Sequence, residues 1–346
     1  MDRSVAYLTA IGQLEIREES VPKLGTGDVL VQIKAVGICG SDLSYYLTGC
    51  TGVGALSFPH VLGHESAGIV VATGSEIKTI SIGDRVALEP GMPCGTCYHC
   101  RGGHYNRCES ISFMSTARKQ PYSEGAFVTY SIRPAHMVHL LPDDVSFEQG
   151  AMVEPLSVAI HAIEQSQIRM GQRVAIIGCG PIAGCLLLVL RAIGIGNIIM
   201  TDIIEDRLQR MKGLGASQVI NTAGMSIKEL ALIAKKHVDV VFDTSCNETA
   251  INAGIHWLDK GGRLMLIGVP SGYGRIDLQT LFLKEGSINT SFRYVNSYPV
   301  CISMIEHGLL NPIPLVTHYF PFDEISEAFA LAASKQSSVM KVMITV

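Results

Sequence analysis

The sequence is poor in aromatic residues, at 6%, and poor in charge, at 17%. Few aromatics beside 35 glycines argue against a helical bundle and for an α/β protein with many tight strand–helix turns. The net charge is only −4 and the positive residues are scattered. Arg101, Arg107, Arg118 and Lys119 form a loose cluster interrupted by Glu109. That is no stripe able to track phosphates, so nucleic acid is not an expected partner. No signal peptide is expected, because Asp2, Arg3, Glu15, Arg17, Glu18 and Glu19 break any apolar core near the start. Long hydrophobic runs are lacking too. The longest, Val174 to Leu190, holds about 17 residues, the bottom of the membrane-spanning range, and its "GCGPIAG" centre reads as a buried strand, a turn and a helix start. A membrane partner is therefore not expected, and the cytoplasm is the expected location. No repeat or low-complexity segment occurs.

What is present fits two domains in 346 residues, 47% of them hydrophobic. Through about residue 150 the chain is rich in strands and loops. "VAYLTA", "LEIREE" and "DVLVQIKAVGI" are separated by Pro22, Gly25 and Gly27, and "SAGIVVATGSEIKTISIGDRVALEP" continues the pattern with turns at Gly74-Ser75 and Gly83-Asp84. After Gly150 the rhythm changes. Strands "QRVAIIGCG", "NIIMTD", "QVINT", "VDVVFDTS" and "RLMLIGVP" alternate with helices "PIAGCLLLVLRAIG", "IIEDRLQRMKGLGA" and "SIKELALIAKKH". This alternation predicts βαβ units on a parallel sheet covered on both faces. The expected division is 1–152 with 292–346, and 153–291 between them, the C-terminal segment returning to the first domain.

Ten cysteines in a chain expected to stay in a reducing compartment point to metal ligation and plain burial rather than disulfides. Cys50, Cys185, Cys246 and Cys301 show no ligand spacing. Cys94, Cys97, Cys100 and Cys108 do. Four thiolates fill a tetrahedral shell, which marks a structural zinc and leaves no position for substrate. A sparser set is Cys39 in "VGICGSD" with His64 and Glu65 in "VLGHESAG". Three protein donors of these types leave a fourth position open, as catalytic zinc requires. Taken singly, each has a bland reading as a core thiol, a satisfied histidine or a solvated acid; their company argues for the metal. "VEPLSV" adds Glu154, a carboxylate among apolar residues that needs a partner.

"IIGCGPIAG" places Gly178-x-Gly180-x-x-Ala183 between a strand and a helix. Gly178 permits the tight turn, Gly180 lets the backbone approach a pyrophosphate, and Ala183 is the tolerated small residue. The helix N-terminus offers free N–H groups to the phosphates. Asp202, closing "NIIMTD", can accept from both ribose hydroxyls and repels a 2′-phosphate, which favours NAD over NADP. Arg207 is the nearby cation.

Together these pieces resemble the zinc-dependent medium-chain dehydrogenase/reductase family, and within it the sorbitol (polyol) dehydrogenase branch. "GICGSD", "GHExxG", the four-cysteine loop, "GxGPI" and Asp202 carry the family resemblance. "VEPLSVAIHA" and "FRYVNSYP" carry the branch. The resemblance implies an α/β protein with a β-rich GroES-like catalytic domain and a doubly wound Rossmann coenzyme domain. It implies catalytic zinc on Cys39, His64 and Glu65, with Glu154 an alternating ligand or a partner of zinc-bound water. Ser41 would relay the alcohol proton. Tyr45, Arg293 and Tyr294 would bond polyol hydroxyls, with Phe113 an apolar wall. Ile182, Asp202 and Arg207 fall on NAD-binding positions, and Val269 and Phe292 fall near the nicotinamide half. The implied reaction is oxidation of a secondary alcohol of a sorbitol-like hexitol or pentitol, free or as a sugar phosphate, to the ketose. A homo-oligomer, tetramer or dimer, is implied as well. A sister zinc enzyme acting on threonine, butanediol or a sugar acid is the standing alternative. A zinc-ribbon binding module leaves the glycine turn unexplained, and the zinc-free reductases of the same superfamily lack the Cys39, His64 and Glu65 set.

Overall fold

The computed structural model describes residues 1–52, 54–117, 123–233, 238–269, 272–334 and 336–346. Arg118 and Lys119 of the loose basic cluster lie outside them. The chain divides into two compact units, Met1–Glu154 with Tyr298–Val346, and Pro155–Ser297. No helix among the described residues is long and apolar enough to cross a membrane.

The first unit is built on a seven-stranded sheet. Its strands run in the order Val138–Leu140, Arg85–Leu88, Glu65–Thr73, Asp28–Gly37, Lys341–Thr345 and Val316–Pro321, with Tyr130–Pro134 also pairing with Asp28–Gly37. Val29, Val31, Ile33, Val36, Val70, Val86 and Leu88 from the sheet are buried with Phe127 and Phe329 in one core. β-Branched side chains suit such a pleated, covered surface. Two pairings position the site. Gly37 lies opposite Glu65, and the last strand returns antiparallel to Asp28–Gly37 with Met343 opposite Gly37. Gly37 has to be glycine here, because a Cβ would collide with the Glu65 carboxylate.

The second unit is a six-stranded parallel sheet in the order Gln218–Asn221, Ile198–Asp202, Val174–Ile177, Val238–Asp243, Leu258–Leu266 and Ser287–Thr290. Numbered along the chain this is 3-2-1-4-5-6, the doubly wound order. Val174–Ile177, at the centre, is buried at every position, as the continuous apolar run requires.

Two helices are shorter than their sequence suggests. The one expected from Ile203 begins at Glu205, because the Asp202 carboxylate takes up the N–H groups of Ile203 and Ile204. The one expected over 226–237 is helical over Ile227–Ala231, started by the Ser226–Glu229 capping box, and residues 234–237 lie outside the described set. A helix over Val153–Ser166, carrying "VEPLSV" in its first turns, was not foreseen.

Candidate active site

Cys39 ends the run that follows Asp28–Gly37 and precedes the helix Gly40–Thr48. Asp42, in the first turn of that helix and wholly buried, holds the local fold. One of its oxygens accepts the Cys39 N–H at 3.0 Å, and the other accepts the Gly63 N–H at 3.1 Å. A single carboxylate thus fixes the backbone at Cys39 and beside His64. The His64 ring is buried, with Nδ1 3.2 Å from Ser115 Oγ and 3.6 Å from Asp42 Oδ1. Burial opposes the charged imidazolium, but the charges of Asp42 and Cys39 outweigh it and hold His64 well above its ordinary pKa.

Glu65 opens the strand Glu65–Thr73 and is 1% exposed. Lys341, 2% exposed, donates to both of its oxygens at 2.7 Å and to the Ile38 carbonyl at 3.1 Å. A buried carboxylate without such a partner would be strongly penalised. One donor atom each from Cys39, His64 and Glu65 lies within 4.8 Å of the others. A half-buried thiolate converging with a buried imidazole and a buried carboxylate fits a zinc ion, and three donors leave a coordination position free. Glu154, buried in the first turn of its helix, stands outside that gathered set.

Of the other expected site residues in this unit, Ser41 is half-buried on the Gly40–Thr48 helix. Tyr45 is 1% exposed, and its hydroxyl oxygen meets the Ala117 N–H at 3.2 Å and Thr51 Oγ1 at 3.1 Å. Phe113 is buried with its ring centroid 5.7 Å from that of His64.

Cys94, Cys97, Cys100 and Cys108 also converge within 4.8 Å. Cys97 Sγ lies 3.5 Å from Cys100 Sγ, far beyond a disulfide bond. Backbone N–H groups of Cys97 and Cys94 point at Cys94 Sγ and Cys108 Sγ, each at 3.4 Å. Hydrogen bonds from Thr96 and Cys97 hold the Cys94 thiol down at about 6. Desolvation and the neighbouring thiols push Cys100 up to about 12. Four converging sulfur donors fit a closed tetrahedral zinc.

In the second unit Gly178 has φ +93°, which favours glycine, and its N–H bonds the Thr201 carbonyl at 2.8 Å. Gly180 caps the helix Pro181–Ala192, which carries Pro181 at its first position and Ile182 in its first turn. A Cβ on Gly180 would meet no protein atom within 4 Å, so its side stays open to a ligand. Asp202 accepts the Cys179 N–H at 2.6 Å, besides those of Ile203 and Ile204. A cavity of about 350 Å³ runs past Gly178, Asp202, Thr222, Ser245 and Asn247. Glycine turn, helix N-terminus, acidic strand end and cavity fit a dinucleotide. Arg207 Nε is buried without a partner among the described residues. Val269 is exposed, and Phe292 lies under the Arg293 guanidinium at 4.9 Å. Arg293 has φ +57°, and Tyr294 is buried.

Residues 25–143 match the family profile described as Alcohol dehydrogenase GroES-like domain, and residues 181–307 match Zinc-binding dehydrogenase. Sorbitol dehydrogenase of Bacillus subtilis is 36% identical over 96% of this chain and 94% of its own. The chain belongs to the zinc-dependent medium-chain dehydrogenase/reductase family, in the sorbitol dehydrogenase branch. L-idonate 5-dehydrogenase of Vitis vinifera is 36% identical over 99% of this chain and 94% of its own. The crystal structure of L-idonate 5-dehydrogenase from Escherichia coli superposes with a TM-score of 0.93 at 28% identity, covering 100% of this chain and 99% of that one. The chain is therefore an oxidoreductase acting on CH–OH groups, with zinc and a nicotinamide dinucleotide as cofactors. The expectation of a GroES-like domain beside a Rossmann domain is met.

Three residues at the site escaped the sequence reading. Asp42 lies inside "GICGSD", but a clamp on two segments cannot be read from one. Lys341 is a lone charge in the apolar run "VMKVMITV", a pattern that offered a signal. Ser115 offered none.

Proposed function

We propose that this protein oxidises a secondary alcohol of a polyol, a sorbitol-like hexitol or pentitol, to the ketone with NAD, and runs the reverse reaction. The convergence of Cys39, His64 and Glu65 carries the proposal, because it is the donor group with a coordination position to spare. When bound, zinc supplies Lewis acidity toward the substrate oxygen and the dinucleotide supplies the hydride acceptor. Cys39, His64 and Glu65 hold the metal, and Asp42 keeps the first two in register. Glu154 is its nearby carboxylate, an alternating ligand or a partner of bound water. Ser41 takes the proton that leaves the alcohol. Tyr45, Arg293 and Tyr294 bond the remaining hydroxyls, and Phe113 closes an apolar side. Asp202 accepts from the ribose hydroxyls and repels a 2′-phosphate, which supports NAD over NADP, while Gly178, Gly180, Ile182, Arg207, Val269 and Phe292 line the rest of the cofactor's path. Cys94, Cys97, Cys100 and Cys108 hold a second zinc that stiffens their loop. A cytoplasmic location is part of this reading. A homo-oligomer belongs to the same proposal.

The test is an NAD-reduction screen over sorbitol, xylitol, galactitol, iditol, hexitol phosphates, aldonates, threonine and butanediol. The proposal expects the highest kcat/KM on a neutral polyol. A clear preference for an aldonate, threonine or butanediol would replace it with a sister activity on the same site.

A further inference from the structure

Ser115 faces the His64 ring from a turn 51 residues along the chain. It is 1% exposed and has φ +60°, a left-handed conformation that costs a non-glycine residue free energy. Such strain persists only where the surroundings enforce it, and it gathers at functional sites. All three of its polar groups are engaged. Its N–H donates to the Ser123 carbonyl at 3.0 Å, its carbonyl bonds the His60 ring, and its Oγ lies 3.2 Å from His64 Nδ1. Asp42 Oδ1, the other group near Nδ1, is farther away at 3.6 Å and already accepts the Gly63 N–H. A glycine would adopt this backbone without strain, so what the serine adds is its hydroxyl.

We propose that Ser115 is a positioning residue for the metal. Its hydroxyl accepts the Nδ1–H of His64, fixes that tautomer and ring orientation, and leaves Nε2 as the lone-pair donor. A metal-bound histidine needs its second nitrogen anchored in this way, and loss of the anchor costs about 10–100-fold in metal affinity. Asp42 holds the backbone around the ligands and also faces the same ring nitrogen from 3.6 Å, while Ser115 gives Nδ1 its nearer oxygen. The inference rests on His64 binding zinc.

The test uses the full chain and two variants. Ser115→Ala removes the hydroxyl and keeps the strained backbone; Ser115→Gly removes the hydroxyl and relieves the strain. Zinc release to excess chelator is followed with a metallochromic dye, and His64→Ala identifies which release phase belongs to this site. The d–d absorption of the cobalt-substituted chain is recorded beside it. Both variants are expected to weaken retention of that zinc about 10–100-fold and to change the cobalt spectrum, although Ser115→Gly melts at a higher temperature than Ser115→Ala. Wild-type retention and spectrum in either variant would overturn the inference, as would a metal loss that follows melting temperature. Equal zinc content in the wild type and His64→Ala would instead refute the metal reading, and this inference with it.

Discussion

Replacing Lys341 with methionine leaves the Glu65 carboxylate without the ammonium that now bonds both its oxygens at 2.7 Å. At that separation and an effective dielectric near 20, the attraction is about 6 kcal/mol. The pair is 1–2% exposed, so solvent screens it little. Removing one partner of a buried pair costs about 3–5 kcal/mol, since the other charge stays behind uncompensated. For a unit of this size each kcal/mol lowers the melting temperature by about 2–4 °C, so zinc-stripped Lys341→Met should melt roughly 6–20 °C below the zinc-stripped wild type. Zinc changes the result. A dication beside Glu65 neutralises the orphaned carboxylate, so the loaded variant should lose less than half as much. If the two losses differ by about 2.8 kcal/mol, the thermodynamic cycle requires about 100-fold tighter zinc binding in the variant. Differential scanning calorimetry with and without zinc, and a competition titration against a chelator, measure both. Equal losses in the stripped and loaded proteins would refute the reasoning, because Glu65 would then not be shared between Lys341 and the metal.

Asp202→Asn removes the charge and keeps one acceptor oxygen, enough for the Ile203 and Ile204 N–H groups, while the Cys179 N–H loses its carboxylate oxygen. The ratio of kcat/KM for NAD over NADP should fall at least about 10-fold, the equivalent of about 1.4 kcal/mol; an unchanged ratio contradicts the role given to the carboxylate. Gly178→Ala forces an alanine to φ +93° and puts its Cβ 2.6 Å from Thr244 Oγ1. Equilibrium unfolding should show a loss of about 1–3 kcal/mol, and NADH titration a weaker complex. Cys97→Ser should remove about one zinc per chain and lower the melting temperature while the zinc at Cys39 remains, as elemental analysis and calorimetry would show.

The sequence displayed what is local. Strand–helix alternation, the Gly178 turn and the four-cysteine spacing each follow from residues close in the chain, and Cys39, His64 and Glu65 carried recognisable donor chemistry. Long-range partnerships were hidden. Lys341 lies 276 residues from Glu65, and the two meet because the last strand pairs with Asp28–Gly37, whose other neighbour carries Glu65. Ser115 reaches His64 from 51 residues away, out of a turn with no regular pattern. Helix ends were missed where a side chain competes for backbone donors, as Asp202 does at Ile203 and Ile204.

In the proposed reaction the three-donor group at Cys39, and not the four-cysteine loop, holds the metal that activates the alcohol. Zinc content and turnover of Cys39→Ser test it most directly, with NADH binding as the control for folding. About two zinc ions per chain are expected in the wild type and one in the variant, with NADH affinity retained and turnover down about 1,000-fold, the rate equivalent of about 4 kcal/mol. Two zinc ions per chain with turnover intact in Cys39→Ser would contradict it.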